Sequence, residues 1–174
     1  IRGIKRPPLA PIIPTETGIS LLIDCGANVD ARPEHLLQFA KMGSVYMEKV
    51  MNIKKPRVGL ANVGTEEHKG GEFQHQCFAM LKENKDINFI GNIEARDIPF
   101  DAADVIVCDG FTGNIIVKLY EGVAMAVMGK IKKVFKKNVK TKLAAAMVLS
   151  DMKVLKKEID YNEYRPDKED QDVL

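Results

Sequence analysis

ADVIVCDGFTGN, residues 103–114, joins a short apolar run to a glycine-containing segment, and it decides how the rest of the chain is interpreted. Its apolar part, about 103–108, has the continuous hydrophobicity of a strand that helices cover on both faces. Similar runs occupy about 20–25, 57–63 and 87–92, and helical patterns separate them. Strands and helices that alternate in this way predict an α/β fold with a mostly parallel sheet.

Apolar residues at helical spacing predict the helices of this fold. Their positions predict one helix over about 33–51 and a shorter one around 73–80. From Asn114 the helical period continues for more than five turns, and we expect that helix to project from the sheet. Residues 114–159 as a whole resemble a long helical hairpin whose apolar tip is 143–149.

Composition and charge favour a single globular domain in a reducing compartment. The chain has 174 residues, of which 45% are hydrophobic and 29% charged, enough to bury a core. The formal charge is only +2, yet seven lysines crowd into residues 130–142 and make a local basic field. Cys25, Cys77 and Cys108 lack the spacing of a disulfide framework or a zinc site. With no signal peptide at the N-terminus, we expect a cytoplasmic protein, and no nucleic-acid partner.

The loops after the strands contain the residues that carry chemistry. Ligands of an open parallel sheet bind outside the carboxyl ends of its strands. Those loops cover about 24–30, 62–70, 91–97 and 109–114, and each contains glycine or short polar side chains. Glycines expose backbone N–H groups and a helix N-terminus favours an anion, so phosphate is the expected guest, above all at 109–114. The pattern is neither Walker A nor GxGxxG.

Two side chains in these loops are candidates for catalysis. Lys69 can bind a phosphate oxygen or offset the charge of a carbonyl oxygen that becomes tetrahedral, although a solvated loop lysine is the alternative. Asn114 can donate its amide to the same oxyanion, or it can cap the helix. Aspartates after the strands could hold Mg²⁺ or serve turns and caps, and the three histidines lack metal-site spacing. We therefore predict no metal.

Four ordered blocks make the sequence similar to a known family. LLIDCGANVDARPEHLLQFAKMGS, PRVGLANVGTEEHKG, INFIGNIEARD and ADVIVCDGFTGNIIVK resemble successive blocks of the PlsX phosphate acyltransferases. The resemblance implies a Rossmann-like α/β/α sandwich of the isopropylmalate dehydrogenase type. It further implies an enzyme that uses no cofactor and converts acyl-[acyl carrier protein] and inorganic phosphate to acyl phosphate for phospholipid synthesis. It identifies residues 1–164 as the central and C-terminal part of one domain that lacks its N-terminal region, with 165–174 as a polar tail.

The resemblance also implies roles for particular residues and partners. Lys69 and Asn114 match the family positions proposed as catalytic. The positions that would line the phosphate and thioester site are Asn28, Thr65, Thr112 and Gly113. Family members are homodimers that touch the membrane peripherally, here through Leu143, Met147, Val148 and Leu149. Two alternatives stay open: a coenzyme A-dependent phosphotransacetylase, and a non-catalytic fragment that binds membrane or carrier protein.

Overall fold

Four parallel strands form most of the sheet in the computed structural model, which describes residues 6–159. The strands are β1 (Ile12–Pro14), β2 (Ile19–Ile23), β3 (Arg57–Asn62), β4 (Asn88–Glu94) and β5 (Val105–Val107). The helices are α1 (Pro33–Lys49), α2 (Glu72–Glu83), α3 (Gly110–Phe135), α4 (Val139–Met147) and α5 (Leu149–Ile159), with a 3-10 helix at Ala95–Phe100. The order in the sheet is β1-β2-β5-β3-β4.

The predicted α/β fold with a mostly parallel sheet is confirmed. Strands β2, β5, β3 and β4 run parallel, and only β1 pairs antiparallel, with β2. Central strand β5 is fully buried, as its continuous apolar run requires. Helix α1 comes so close to the sheet that a methyl group on Gly43 would lie 2.6 Å from Val105 Cγ1. The core therefore sits between the sheet and the helices that cover it.

Two elements were not predicted, and one begins earlier than predicted. Strand β1 has three residues, ends in Pro14 and is preceded by further prolines, so it carries no clear strand pattern. The 3-10 helix at Ala95–Phe100 contains Pro99. Helix α3 begins at Gly110, four residues before the predicted start at Asn114. Asp109 caps its first turn, whereas the glycines of that turn are typical of a loop in the sequence.

The chain divides into two compact units, and the boundary falls between Ile116 and Val117. The second unit contains most of α3 together with α4 and α5. Its apolar run 143–149 lies in α4 and the start of α5, where one residue, Val148, separates the two helices. Asn138 caps α4 by accepting a hydrogen bond from the Thr141 N–H at 2.9 Å. The predicted tip is therefore helical, and the pairing of a hairpin stays a prediction, as does the one-domain organisation.

Apolar side chains on the helices of the second unit are exposed. Leu119, Val123 and Met125 on α3 face solvent, and so do Leu143 and Met147 on α4. By length and composition α3 is also the one helix among the described residues that could cross a membrane, with a mean hydropathy of 1.2 over its most apolar window. Contiguous apolar surface on a protein is a common feature of interfaces with other proteins or with membranes. The predicted polar tail, 165–174, lies outside the described residues.

Candidate functional site

One edge of the sheet brings together the segments that the sequence singled out. Because β2, β5, β3 and β4 are parallel neighbours, their carboxyl ends meet at the same edge. The loop 24–32 follows β2, the loop 63–71 follows β3, the 3-10 helix follows β4, and α3 begins directly after β5. Lys69 and Asn114, the two predicted catalytic residues, both belong to this edge.

Asp24 organises the loop after β2. Its buried carboxylate accepts hydrogen bonds from the backbone N–H groups of Leu9 (2.8 Å), Ala27 (3.3 Å) and Asn28 (2.6 Å). It also accepts one from the Asn28 side-chain amide at 2.8 Å. These contacts show that Asp24 serves a turn, one of the two roles that the sequence left open for it.

Asn28 was predicted to bind substrate, and its contacts give it a supporting position. It is 3% exposed, and its amide nitrogen donates to Pro7 O at 3.0 Å as well as to Asp24. Its carbonyl accepts a hydrogen bond from the Gly110 N–H at 2.9 Å. Asn28 therefore joins the loop after β2 to the first residue of α3, and its amide protons are committed to protein partners.

The first turn of α3 is fixed against that loop by its cap and by close packing. Asp109 accepts hydrogen bonds from the Thr112 N–H (2.9 Å) and hydroxyl (2.7 Å), the arrangement of an N-cap. A methyl group on Gly113 would lie only 1.9 Å from the carbonyl oxygen of Asp24. The Gly113 N–H donates to Asp109 O at 3.0 Å, so this predicted substrate-binding residue offers packing space rather than a free donor.

Asn114 is exposed, and the structure excludes the capping alternative because Asp109 holds that position. Its side chain lies over Gly26, where an added methyl group would come within 3.8 Å of Asn114 Cβ, Cγ and Oδ1. Gly26 has a φ of +104°, which favours glycine. Within residues 6–159 the Asn114 amide has no side-chain hydrogen-bond partner, so it can donate to a ligand above the loop after β2.

Two asparagines on neighbouring strands hold the backbone around Lys69. Asn62, at the end of β3, donates its amide to Lys69 O at 3.1 Å. Asn92, on β4, donates to Glu66 O at 2.8 Å, and the same carbonyl accepts the Lys69 N–H at 3.1 Å. Both peptide groups of Lys69 are thus anchored to the sheet, directly or through Glu66. Sequence reasoning missed these asparagines, although Asn62 ends β3 and Asn92 ends the strand predicted at about 87–92.

The Lys69 side chain is half-buried and crosses Gly64. A methyl group on Gly64 would lie 2.8 Å from Lys69 Cγ, so only glycine leaves room for this path. In the described part of the chain Lys69 forms no ion pair. Thr65, another predicted substrate-binding residue, is exposed in the same loop. A lysine whose backbone is anchored, and whose ammonium forms no ion pair in the described part of the chain, is suited to an anion.

A cleft of about 550 Å³ opens beside these loops. Its apolar walls are Ala61, Val63, Ala95, Ile115 and Ile116. Asn62, Gln74, Thr112, Gly70 and Gly71 complete the lining. Within the described residues the lining includes Thr112 but neither Lys69 nor Asn114. These two are the sequence neighbours of the lining residues Gly70 and Ile115. The two predicted catalytic residues therefore share an edge of the sheet, and neither lines this cleft.

The three cysteines are unsuited to nucleophilic catalysis. Burial raises the pKa of the Cys25 thiol to about 12, with a further contribution from Asp24. Burial likewise raises the pKa of Cys77 to about 12 and that of Cys108 well above its ordinary value. Because the thiolate is the reactive form, these side chains stay protonated near neutral pH. The prediction that Cys77 belongs to the core is confirmed, since it is fully buried on α2.

No group of three or more His, Cys, Asp or Glu side chains that could hold a metal occurs among residues 6–159. His35 is buried, and its Nδ1 accepts a hydrogen bond from the Arg32 N–H at 3.1 Å at the start of α1. His75 Nε2 lies 3.0 Å from His68 O. Asp109 spends its carboxylate on the cap of α3. These residues thus have structural partners.

The fold and this edge define a parallel α/β protein with ligand-accessible loops at the carboxyl ends of its strands. Comparison with known proteins then gives the family. A family model described as "Fatty acid synthesis protein" matches residues 1–167. The chain belongs to this fatty acid synthesis protein family, as the resemblance implied.

Curated relatives and solved structures agree with that assignment. The chain is 52% identical over 165 residues to the phosphate acyltransferase of Bacillus subtilis, covering 94% of this chain and 50% of that protein. It is 48% identical over 164 residues to that of Clostridium perfringens strain SM101, covering 94% and 48%. The chain thus spans about half the length of these relatives. A phosphotransacetylase from Streptococcus pyogenes has a similar fold, with a TM-score of 0.55 and 18% identity over 71% of this chain and 44% of that one.

Proposed function

We propose that this chain carries part of the active site of an enzyme that transfers an acyl group from acyl carrier protein to inorganic phosphate. The product, acyl phosphate, feeds phospholipid synthesis. The observation that carries the proposal is the identity of about half of all positions, over 94% of the chain, with proteins named phosphate acyltransferase. The unpaired, anchored Lys69 supplies a physical basis, because the enzyme must bind an anion beside a thioester.

In the proposed reaction, phosphate is held by the Lys69 ammonium and attacks the thioester carbonyl directly. A phosphate oxygen forms a bond to the carbonyl carbon, the carbonyl oxygen becomes an oxyanion, and the Asn114 amide donates to it. Collapse of this intermediate breaks the carbon–sulfur bond and releases the carrier thiolate. The protonated, buried cysteines agree with a mechanism that needs no protein nucleophile.

The remaining predicted site residues divide into two groups in this proposal. Thr65 and Thr112 lie near the substrate, Thr65 because it is exposed in the Lys69 loop and Thr112 because it lines the cleft. Asn28 and Gly113 act through the backbone, since their polar groups and their packing are committed to Asp24, Asp109 and Gly110. Replacing either should therefore lower the stability of the loop as well as the reaction rate.

The exposed helices support the proposed partners. We propose a homodimer through the apolar side chains of α3, and peripheral membrane contact through Leu143, Met147, Val148 and Leu149. The nearby lysines would attract anionic lipid or the acidic carrier protein. A helical hairpin over 114–159 and the isopropylmalate dehydrogenase-like form of the α/β/α sandwich belong to the same proposal, as does a cytoplasmic location.

A coenzyme A-dependent phosphotransacetylase is the second candidate, since the solved structures of similar fold include phosphotransacetylases. That likeness concerns the fold alone. An assay with matched thioesters separates the two, because acyl carrier protein donors should react and coenzyme A donors should not. A non-catalytic fragment that binds membrane or carrier protein would form acyl phosphate with neither.

A chimera tests the proposal directly. This chain replaces the matching 165 residues of the Bacillus subtilis phosphate acyltransferase, to which it is 52% identical, and acyl phosphate is measured by incorporation of radiolabelled inorganic phosphate. We expect activity with acyl carrier protein thioesters and, for Asn114→Ala, a loss of about 10²–10³ in rate, as for one oxyanion donor. Lys69→Ala should be similarly impaired, whereas the exposed Lys85→Ala should not. Equal activity of all variants would contradict the proposed roles.

A further inference from the structure

The cleft beside the Lys69 loop has an apolar lining that the proposed chemistry does not use. Five of its ten lining residues are aliphatic: Ala61, Val63, Ala95, Ile115 and Ile116. Its volume of about 550 Å³ is typical of ligand sites. No lining residue carries a charge. Such a surface is suited to an apolar ligand, and poorly suited to phosphate itself.

The polar side chains of the cleft are directed to protein partners. Asn62 donates to Lys69 O and accepts from the Val63 N–H at 2.8 Å. The Thr112 hydroxyl donates to Asp109, and the Gln74 oxygen accepts from the Gly71 N–H at 3.0 Å. These groups hold the loops in place, so the cleft presents mainly hydrocarbon to a ligand.

From this arrangement, and resting on the proposed function, we infer that the cleft binds the alkyl chain of the acyl group. Lys69 and Asn114, the candidates for the charged part of the reaction, are the sequence neighbours of Gly70 and Ile115 in the lining, and they belong to the same edge of the sheet. An acyl phosphate so placed would keep its head at the sheet edge and bury its methylenes between the Lys69 loop and α3. Burial of methylenes drives binding through the hydrophobic effect.

Calorimetric titration of the 174-residue chain with alkylphosphonates tests this inference without any catalytic step. Methyl-, butyl-, octyl- and dodecylphosphonate share a head group and differ only in their chains. We expect affinity to rise up to about fourfold for each added methylene that enters the cleft. Ile115→Gln should weaken dodecylphosphonate about tenfold and leave methylphosphonate nearly unchanged, because it removes apolar surface without adding charge. Retained methylphosphonate binding would also show that the variant is folded.

Val45→Gln is the matched control, because Val45 is an exposed β-branched residue on α1 that does not line the cleft. Its titrations should equal those of the unaltered chain. The inference is overturned if affinity is independent of chain length, if Ile115→Gln retains the full length dependence, or if Val45→Gln loses it instead. The two proposals can fail separately. If Ile115→Gln abolishes the dependence of affinity on chain length while the chimera is inactive, the alkyl site is supported and the proposed reaction is contradicted.

Discussion

Replacement of Gly113 by alanine tests whether α3 is seated on the loop after β2. An added methyl group would lie 1.9 Å from the carbonyl oxygen of Asp24 and 2.9 Å from Cys108 Sγ. Van der Waals contact needs about 3.5 Å, so the helix and the loop would have to separate by roughly 1.6 Å. The loop resists this movement, because the Asp24 carboxylate accepts four hydrogen bonds from Leu9, Ala27 and Asn28.

Overpacking costs about 1–3 kcal/mol or more, and alanine regains about 1 kcal/mol over glycine in a helix. Because a 1.9 Å approach to a backbone oxygen is severe, the upper end of that cost applies, and we expect Gly113→Ala to lower the free energy of unfolding by about 2 kcal/mol. For a chain of this size that is a fall of roughly 4–8 °C in Tm, measurable by circular dichroism.

Gly122→Ala is the matched control on the same helix. No atom lies within 4 Å of a methyl group added there, so this variant should gain about 0.5–1 kcal/mol from helix propensity alone. If Gly113→Ala is as stable as Gly122→Ala, the described contact between α3 and the Asp24 carbonyl is wrong.

Three further outcomes follow from individual side chains. The buried thiols of Cys25, Cys77 and Cys108 should resist Ellman's reagent in the native protein. Because burial raises their folded pKa values, the stability they contribute is complete below about pH 8.5 and is lost as pH rises through those values, which are about 12 for Cys25 and Cys77. Rapid modification at pH 8 would contradict this. Hydrogen bonds from the Thr15 and Thr17 hydroxyls lower the pKa of Asp101, so the stability that its carboxylate contributes is present above about pH 4 and is lost on acidification. Urea unfolding of Asp101→Asn should therefore lack this loss of stability at low pH. Replacing Asn92 by Leu removes the hydrogen bond to Glu66 O and should weaken phosphate binding several-fold. Hydrogen exchange in the rest of the sheet should be as slow as in the unaltered chain. Unchanged phosphate binding would show that Asn92 does not position Lys69.

Much of the fold could be predicted from the sequence because parallel strands covered on both faces leave continuous apolar runs. Val105–Val107 and the helical pattern of α1 are visible without any tertiary information. Strand β1 could not be predicted in this way, since three residues ending in Pro14 depend on β2 for their conformation. The early start of α3 was hidden because glycine has low helix propensity, whereas the Asp109 cap and close packing outweigh it.

The site could be predicted only in part, for a related reason. Loops at the ends of parallel strands meet at one edge, so Lys69 and Asn114 could be assigned to that edge from the sequence. The partners of a side chain cannot be read in the same way. Asn28 and Asn62 look like free amides in the sequence, yet their protons are committed to Pro7, Asp24 and Lys69 in the structure.

Binding of inorganic phosphate to the chain is the most direct test of the claim that Lys69 is an anchored, unpaired cation at the sheet edge. Titration should give saturable binding that Lys69→Ala weakens at least about tenfold, the loss expected for a charge-assisted hydrogen bond. Lys85→Ala, which removes an exposed lysine elsewhere, should bind as the unaltered chain does. Equal phosphate affinity for the unaltered chain and Lys69→Ala would contradict the account.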